Sequence, residues 1–310
     1  MHWTGHSLRQ RTLREAVECT GIGLHSGQPV TLVLRPAPVE HGIRFRRTDL
    51  PEDEAEIPAR YDHVCDTRMC TTLANRFGAK VATVEHLMAA LAGLGIDNAV
   101  VELDGPEVPA MDGSAAPFVF LLECAGIVQQ AAARRSLKVL KRVQIVDGER
   151  RCELLPHDGF AVEFEIEFDS PAVKHKQGRF ELRPDSFKRE LAAARTFGFE
   201  RDVQQLWSMG LARGGSLDNA VVVSADHRIL NENGLRYDDE FVRHKVLDAI
   251  GDLYLAGAPM QARLRCVRSG HAMNNRLLRQ LFADRGAYAI VPAETVPAAW
   301  VGEPSLSVAG

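Results

Sequence analysis

Hydrophobic positions along the chain keep two different spacings, and the points where one gives way to the other outline its elements. Val30-Thr31-Leu32-Val33-Leu34, after a turn at Ser26-Gly27, alternates as a strand. From about Val81 to Leu94 apolar residues recur at helical spacing, and Gly93 and Gly95 stand where such a helix would stop. A β-rich segment, Asn98 to Leu103, follows at once. Ser114 is placed to cap a second helix running through Leu122, with Gly126 past its end. Gln129 to Ser136 is small and polar without a periodic apolar face, so a domain boundary is placed there.

The second half repeats that order. Leu137 to Val146 and Phe160 to Phe168 read as strands. In the latter, Phe160, Val162, Phe164, Ile166 and Phe168 share one face and Glu163, Glu165 and Glu167 the other, the mark of a half-buried antiparallel strand. Helices are predicted over Asp185 to Ala194, Asp202 to Met209, Asp239 to Ala256 and Met273 to Phe282, with a strand near Ala262 to Val267. The segments starting at His86 and His244 each carry glycine seven residues on and lead into a strand. A duplicated β/α unit would bring both histidines together at a domain interface, where pockets form. The expected fold class is α+β, with an N-terminal domain over residues 1–130, a C-terminal domain over 135–290 and a Pro/Ala/Ser-rich tail over 291–310.

Composition narrows the class. A chain of 310 residues is long enough for two domains of roughly 130 to 160 residues each. With 37 basic against 41 acidic residues, a net charge of -4, it has no global charge with which to attract nucleic acid or anionic lipid. Its apolar runs fall far short of the ~20 residues of a membrane helix, and the amino terminus lacks the apolar core of a secretory signal. Six cysteines without a C-x-x-C pair fit the reduced thiols of a cytoplasmic protein.

Chemistry enters through His244 and Asp248. Residues four apart share a helix face, and Asp252 extends the same stripe by one turn. Imidazole and carboxylate suit a borderline cation such as Zn2+, and His86 is a third donor of the right type. Adjacent helical side chains diverge by about 100°, so Glu85 is less a fourth ligand than a base beside the metal's water. Two imidazoles and one carboxylate leave an open position, the pattern of a catalytic site. His271 is the candidate acid, with Asp252 favouring its imidazolium form, and the Thr196 hydroxyl is a candidate donor to an oxyanion. Each residue also has an ordinary reading: a core or surface histidine, a solvated i, i+4 hydrogen bond, an acid in a helix's first turn. The absence of H-E-x-x-H disfavours a peptidase, and no phosphate loop or dinucleotide fingerprint occurs. The loop Gly21 to Gly27 reads equally as a tight turn or as a ligand-lining segment, with Leu24 its candidate contact.

At these residues the sequence resembles the UDP-3-O-acyl-N-acetylglucosamine deacetylases, zinc-dependent enzymes of lipid A synthesis. The resemblance runs through Gly21-Ile22-Gly23-Leu24-His25-Ser26-Gly27, Thr83-Val84-Glu85-His86-Leu87-Met88-Ala89-Ala90-Leu91, Asp104-Gly105-Pro106-Glu107-Val108-Pro109 and Asp112-Gly113-Ser114. It continues in Arg195-Thr196-Phe197-Gly198-Phe199, Gly214-Gly215-Ser216-Leu217-Asp218-Asn219, Phe241 to Leu253 and Ser269-Gly270-His271-Ala272-Met273-Asn274-Asn275. It covers roughly residues 1 to 290. It implies two similarly folded α+β domains, packed as a layered sandwich around the active site, each with a small insert. It further implies zinc ligands at His86, His244 and Asp248, a base at Glu85, and an acid at His271 supported by Asp252. Thr196 and Lys245 would contact oxyanion and substrate, Phe168 would stack on uridine, and a stretch near 197–215 with Phe197 and Phe199 would form the acyl-chain passage. Implied with these are one catalytic Zn2+ ion, or Fe2+ by cellular availability, an acylated UDP-sugar substrate, and a cytoplasmic monomer that neither spans a membrane nor binds nucleic acid. The competing classes are an amidohydrolase for another acylated sugar or an amino-acid conjugate, and a binding protein whose histidine cleft does no chemistry.

Overall fold

The computed structural model describes residues 8–293, and their architecture is α+β and layered. One sheet has five strands in the order Val17–Ile22, Pro29–Pro36, Ala99–Leu103, Ile43–Arg47, Glu56–Pro58. Its pairing is antiparallel except between Ile43–Arg47 and Ala99–Leu103. A second, seven-stranded sheet runs Val143–Asp147, Arg150–Leu155, Met260–Val267, Arg135–Val139, Tyr288–Pro292, and Phe160–Glu165 pairs with both Met260–Val267 and Gln177–Glu181.

The helices are α1 (Glu85–Leu94), α2 (Ala116–Cys124), the single turn α3 (Pro184–Ser186), α4 (Glu200–Ser208), α5 (Glu240–Tyr254) and α6 (His271–Ala283). Helix α2 contacts the five-stranded sheet at Val17–Ile22, α5 and α6 lie on the seven-stranded sheet, and α1 packs directly on α5. That last contact builds the site, and glycine permits it. A Cβ at Gly251 would lie 1.9 Å from the Glu85 carbonyl oxygen. Gly251→Ala is therefore expected to overpack the crossing and cost roughly 3 kcal/mol or more, read as a lowered midpoint in thermal or urea unfolding. A midpoint equal to wild type would mean that the two helices are free to separate. Gly95 closes α1 in the left-handed conformation, φ 66°, as its position in the sequence led one to expect.

Several element bounds differ from the sequence expectation. Helix α1 begins at Glu85 rather than Val81: Lys80 and Val81 pair with Ala74 and Leu73, and Thr83 turns left-handed at φ 57°. The segment Gln129 to Ser136, where a domain boundary is expected, is mostly strand: Ile127–Ala133 pairs with Arg9–Leu13, and Arg135–Val139 enters the seven-stranded sheet. Leu137 to Val146 is two strands, not one. The strand from Phe160 stops at Glu165, short of Phe168, and is antiparallel only to Gln177–Glu181, being parallel to Met260–Val267. Asp185 to Ala194 is not a regular α-helix: α3 runs into a π-helical turn, Phe187–Leu191. Helix α6 starts two residues earlier than expected, at His271 itself. Of the tail expected over 291–310, Val291 and Pro292 belong to a strand, and residues from 294 on lie outside the described residues. The cysteines are all free. No helix among the described residues is long and apolar enough to cross a membrane.

Candidate functional site

Where α1 crosses α5, three side chains from distant parts of the chain converge. His86 sits in the first turn of α1; His244 and Asp248 stand one turn apart on α5, and all three are buried. Asp248 Oδ1 lies 3.4 Å from His86 Nε2 and 3.3 Å from His244 Nε2, and the two rings meet edge to face at 4.9 Å. One donor atom from each residue falls within 4.8 Å of the others.

The hydrogen bonds behind these groups fix which atoms point inward. His244 Nδ1 donates to the Ala194 carbonyl at 3.1 Å, leaving Nε2 with its lone pair. Burial pushes the His244 pKa down to about 4, so its ring is neutral at neutral pH. Asp248 Oδ2 accepts from Lys245 Nζ at 2.6 Å. Burial opposes charge on Asp248, but His244 and Lys245 outweigh it and hold the carboxyl well below its ordinary range. Asp248 Oδ1 is buried with no hydrogen-bond partner. A buried, ionised oxygen left bare between two imidazole nitrogens is costly unless a cation takes it. The donor set fits a divalent ion with an open position.

Beside this cluster stand a second acid and a third histidine. Glu85 is buried, its Oε2 accepting the Thr71 N–H at 3.0 Å and its Oε1 lying 3.9 Å from His271 Nε2. Burial lifts the Glu85 carboxyl above its ordinary pKa, with His271 and His86 only partly offsetting the effect. His271 Nδ1 donates to Asp252 Oδ2 at 2.8 Å, and Asn274 Nδ2 donates to the same oxygen at 2.8 Å. Burial alone would depress the His271 pKa, but the carboxylates of Asp252 and Glu85 outweigh it and raise it to about 9. His271 is thus an imidazolium at neutral pH, facing a carboxylate.

The sign of the resulting pH dependence follows from the raised pKa. Stability from the His271 pairing is fully present below its unfolded pKa, about 6.5, and is lost as pH rises through about 9. In metal-free protein the unfolding midpoint is expected to fall over that window, and His271→Gln is expected to flatten the fall. An unchanged slope in the glutamine protein would show that other groups cause it.

His86, His244, Asp248, Glu85 and His271 line one cleft of about 1060 Å³, with Asp252 behind His271. Leu24, Thr196, Lys245, Phe168, Phe197 and Phe199 line it too. Thr196 is clamped through its backbone, its N–H donating to Gly113 O and its carbonyl accepting from Val221 N–H, each at 2.8 Å. The three phenylalanines form one apolar wall: Phe168 meets Phe197 at 5.2 Å and Phe199 at 5.7 Å. Helix α4 buries none of its residues. Its Leu206 and the following Met209 line the cleft, whereas Trp207 and Leu211 do not, and Glu200 accepts from the Ala225 N–H.

The sequence reading passed over His25, Glu107 and Thr71. His25 lines the cleft with Nε2 buried and unpartnered. Its loop is seated by the Glu107 carboxylate, which accepts from the N–H groups of His25 and Ser26 and from the Thr83 hydroxyl. The His25 imidazole, one residue from Leu24, and Glu107, inside the motif Asp104 to Pro109, each carry a signal in the sequence. A lone threonine at position 71 carries none.

Residues 10–283 match the family model described as UDP-3-O-acyl N-acetylglycosamine deacetylase. The chain belongs to that family. It is 51% identical over 286 residues to the UDP-3-O-acyl-N-acetylglucosamine deacetylase of Idiomarina loihiensis, covering 92% of this chain and 93% of the relative. It is likewise 51% identical to the protein of that name from Photobacterium profundum, over 94% and 96% of the two chains. The relative of that name from Marinobacter nauticus is 53% identical, over 92% and 93%. The matched stretch holds the whole deacetylase-family cleft, from Leu24 to Met273.

Proposed function

We propose that the protein hydrolyses the 2-N-acetyl group of a UDP-3-O-acyl-N-acetylglucosamine, releasing acetate and the free amine, as the committed step of lipid A synthesis in the cytoplasm. Asp248 Oδ1 carries this reading: bare, buried and flanked by two imidazoles, it stands on the same cleft as a carboxylate and an imidazolium 3.9 Å apart. His86, His244 and Asp248 would hold a divalent ion, zinc or ferrous iron, which when bound supplies a Lewis acid and lowers the pKa of water.

The remaining chemistry belongs to the chain. Glu85 takes the proton from the attacking water through Oε1, because Oε2 is held by a peptide N–H. Its raised pKa suits a base that must release that proton again. His271 delivers a proton to the departing nitrogen, and Asp252 steadies the imidazolium. Thr196 offers its hydroxyl to the developing oxyanion from a backbone clamped on both sides. Lys245 holds Asp248 and, half-buried at the cleft wall, adds positive charge near the substrate. Phe197, Phe199 and α4 supply an apolar surface suited to the acyl chain, Phe168 on the same wall offers a ring for the uridine to stack on, and Leu24 lines the cleft.

The test is acetate release by metal-loaded protein from UDP-3-O-acyl-N-acetylglucosamine and from the same acylated sugar without the uridine diphosphate. Release from the nucleotide sugar, and far less from the bare sugar, is the expected result. Equal rates on both would redirect the assignment to a general sugar amidohydrolase, and no release from either would end it.

A further inference from the structure

Every polar group of one buried residue, Thr71, is engaged with the catalytic frame. Its carbonyl accepts from the N–H of Val84, the residue preceding α1, at 3.3 Å. Its own N–H donates to Glu85 Oε2 at 3.0 Å, and its hydroxyl donates to Asp252 Oδ1 at 2.6 Å. Thr71 is 1% exposed and lies outside both helices, immediately before the short strand Thr72–Ala74. It touches the acceptor of one proton and the partner of the group that donates the other.

We infer that Thr71 is a positioning residue that sets the base and the acid in one frame, its hydroxyl acting on turnover through Asp252. A carboxylate turns about its last carbon–carbon bond unless both oxygens are held. Asp252 Oδ2 carries two donors, His271 Nδ1 and Asn274 Nδ2, and Thr71 is the donor on Oδ1 that fixes the plane in which His271 is held. At 2.6 Å to an ionised oxygen, this is a bond of the short, charge-assisted kind. The peptide N–H does the corresponding work on Glu85: with Oε2 occupied, Oε1 is the oxygen turned toward His271. Side-chain substitutions remove the first of these bonds and leave the second, so the two roles are separable. The inference rests on the deacetylase reading for its kinetic consequences and on geometry alone for the rest.

Four proteins test it: wild type, Thr71→Val, Asp252→Ala and the double variant. Thr71→Val replaces the hydroxyl by a methyl of similar size. It is expected to lower kcat roughly tenfold to hundredfold, the scale of a lost hydrogen bond to a charged group, with KM and metal content unchanged. Thr71→Ser is expected to restore most of the rate. In the Asp252→Ala background, Thr71→Val is expected to change kcat no further, because the oxygen it acts on is gone. Wild-type turnover in Thr71→Val, or losses that multiply in the double variant, would overturn the inference. Should the valine protein fail to fold, Thr71→Ala carries the same predictions. Should wild type release no acetate, the deacetylase reading fails by itself. The positioning bond is then read by proton NMR, in which the His271 Nδ1 resonance, resolved in wild type, is expected to broaden by solvent exchange in Thr71→Val. A resonance equally sharp in both proteins would count against it.

Discussion

Glu85→Ala is expected to lose roughly 10²- to 10⁴-fold in kcat, the range a positioned general base contributes, while its metal content stays at the wild-type level. Both halves of that result follow from one geometric fact. Glu85 stands next to His86 in the chain, yet its Oε1 faces His271 Nε2, and its other oxygen is taken by a peptide N–H. Removing the side chain deletes the proton acceptor and leaves His86, His244 and Asp248 in place. A modest fall in thermal stability accompanies the change, because the Thr71 N–H loses its acceptor. Steady-state acetate release with elemental analysis of the same preparation checks both. An alanine protein with wild-type turnover would remove Glu85 from the mechanism, and one without metal would make it a ligand.

Asp248→Ala is expected to behave in the opposite way: metal is lost and activity falls to background. The carboxylate lies between two imidazoles and also anchors Lys245. Its loss takes away the anionic donor of the cluster and leaves the Lys245 ammonium beside the two imidazoles, which repels a cation. Metal affinity is expected to drop by more than the roughly 10- to 100-fold typical of changes around the ligands. Competition against a chelator of known affinity measures it. Retention of metal at wild-type affinity would move the ion elsewhere in the cleft. His244→Ala is expected to act likewise, without the stray ammonium.

The residues of this cleft were unevenly legible in the sequence. His244 and Asp248 were plain, because helical spacing converts a separation of four into a shared face. Glu85 and His86 lay on a segment of evident helical periodicity, although the helix was placed four residues too early. What moved its start was a pairing between Val81 and Leu73 together with the left-handed Thr83, and neither leaves a mark on local periodicity. The strand within Gln129 to Ser136 goes unread for the same kind of reason, since its partner is Arg9–Leu13 at the other end of the first half. Asp252 is legible as the next turn of the His244–Asp248 stripe, and in the structure its Oδ2 accepts from His271 Nδ1. Thr71 was invisible: it acts through its backbone and one hydroxyl, and residue type at a single position says nothing of either. His271 and Asp252 are paired from their chemistry before any resemblance is invoked, and the family motifs imply the same pair.

The crossing of α1 over α5 also has a thermodynamic meaning. His86 reaches the cluster from one helix and His244 with Asp248 from the other, and the helices belong to segments that an unfolded chain would hold far apart. Any cation bound by all three is therefore a rivet through the fold, and occupancy and folding become a single linked equilibrium. With such an ion bound, free metal concentration would set how tightly the two helices are fastened, and a chelator would loosen their crossing.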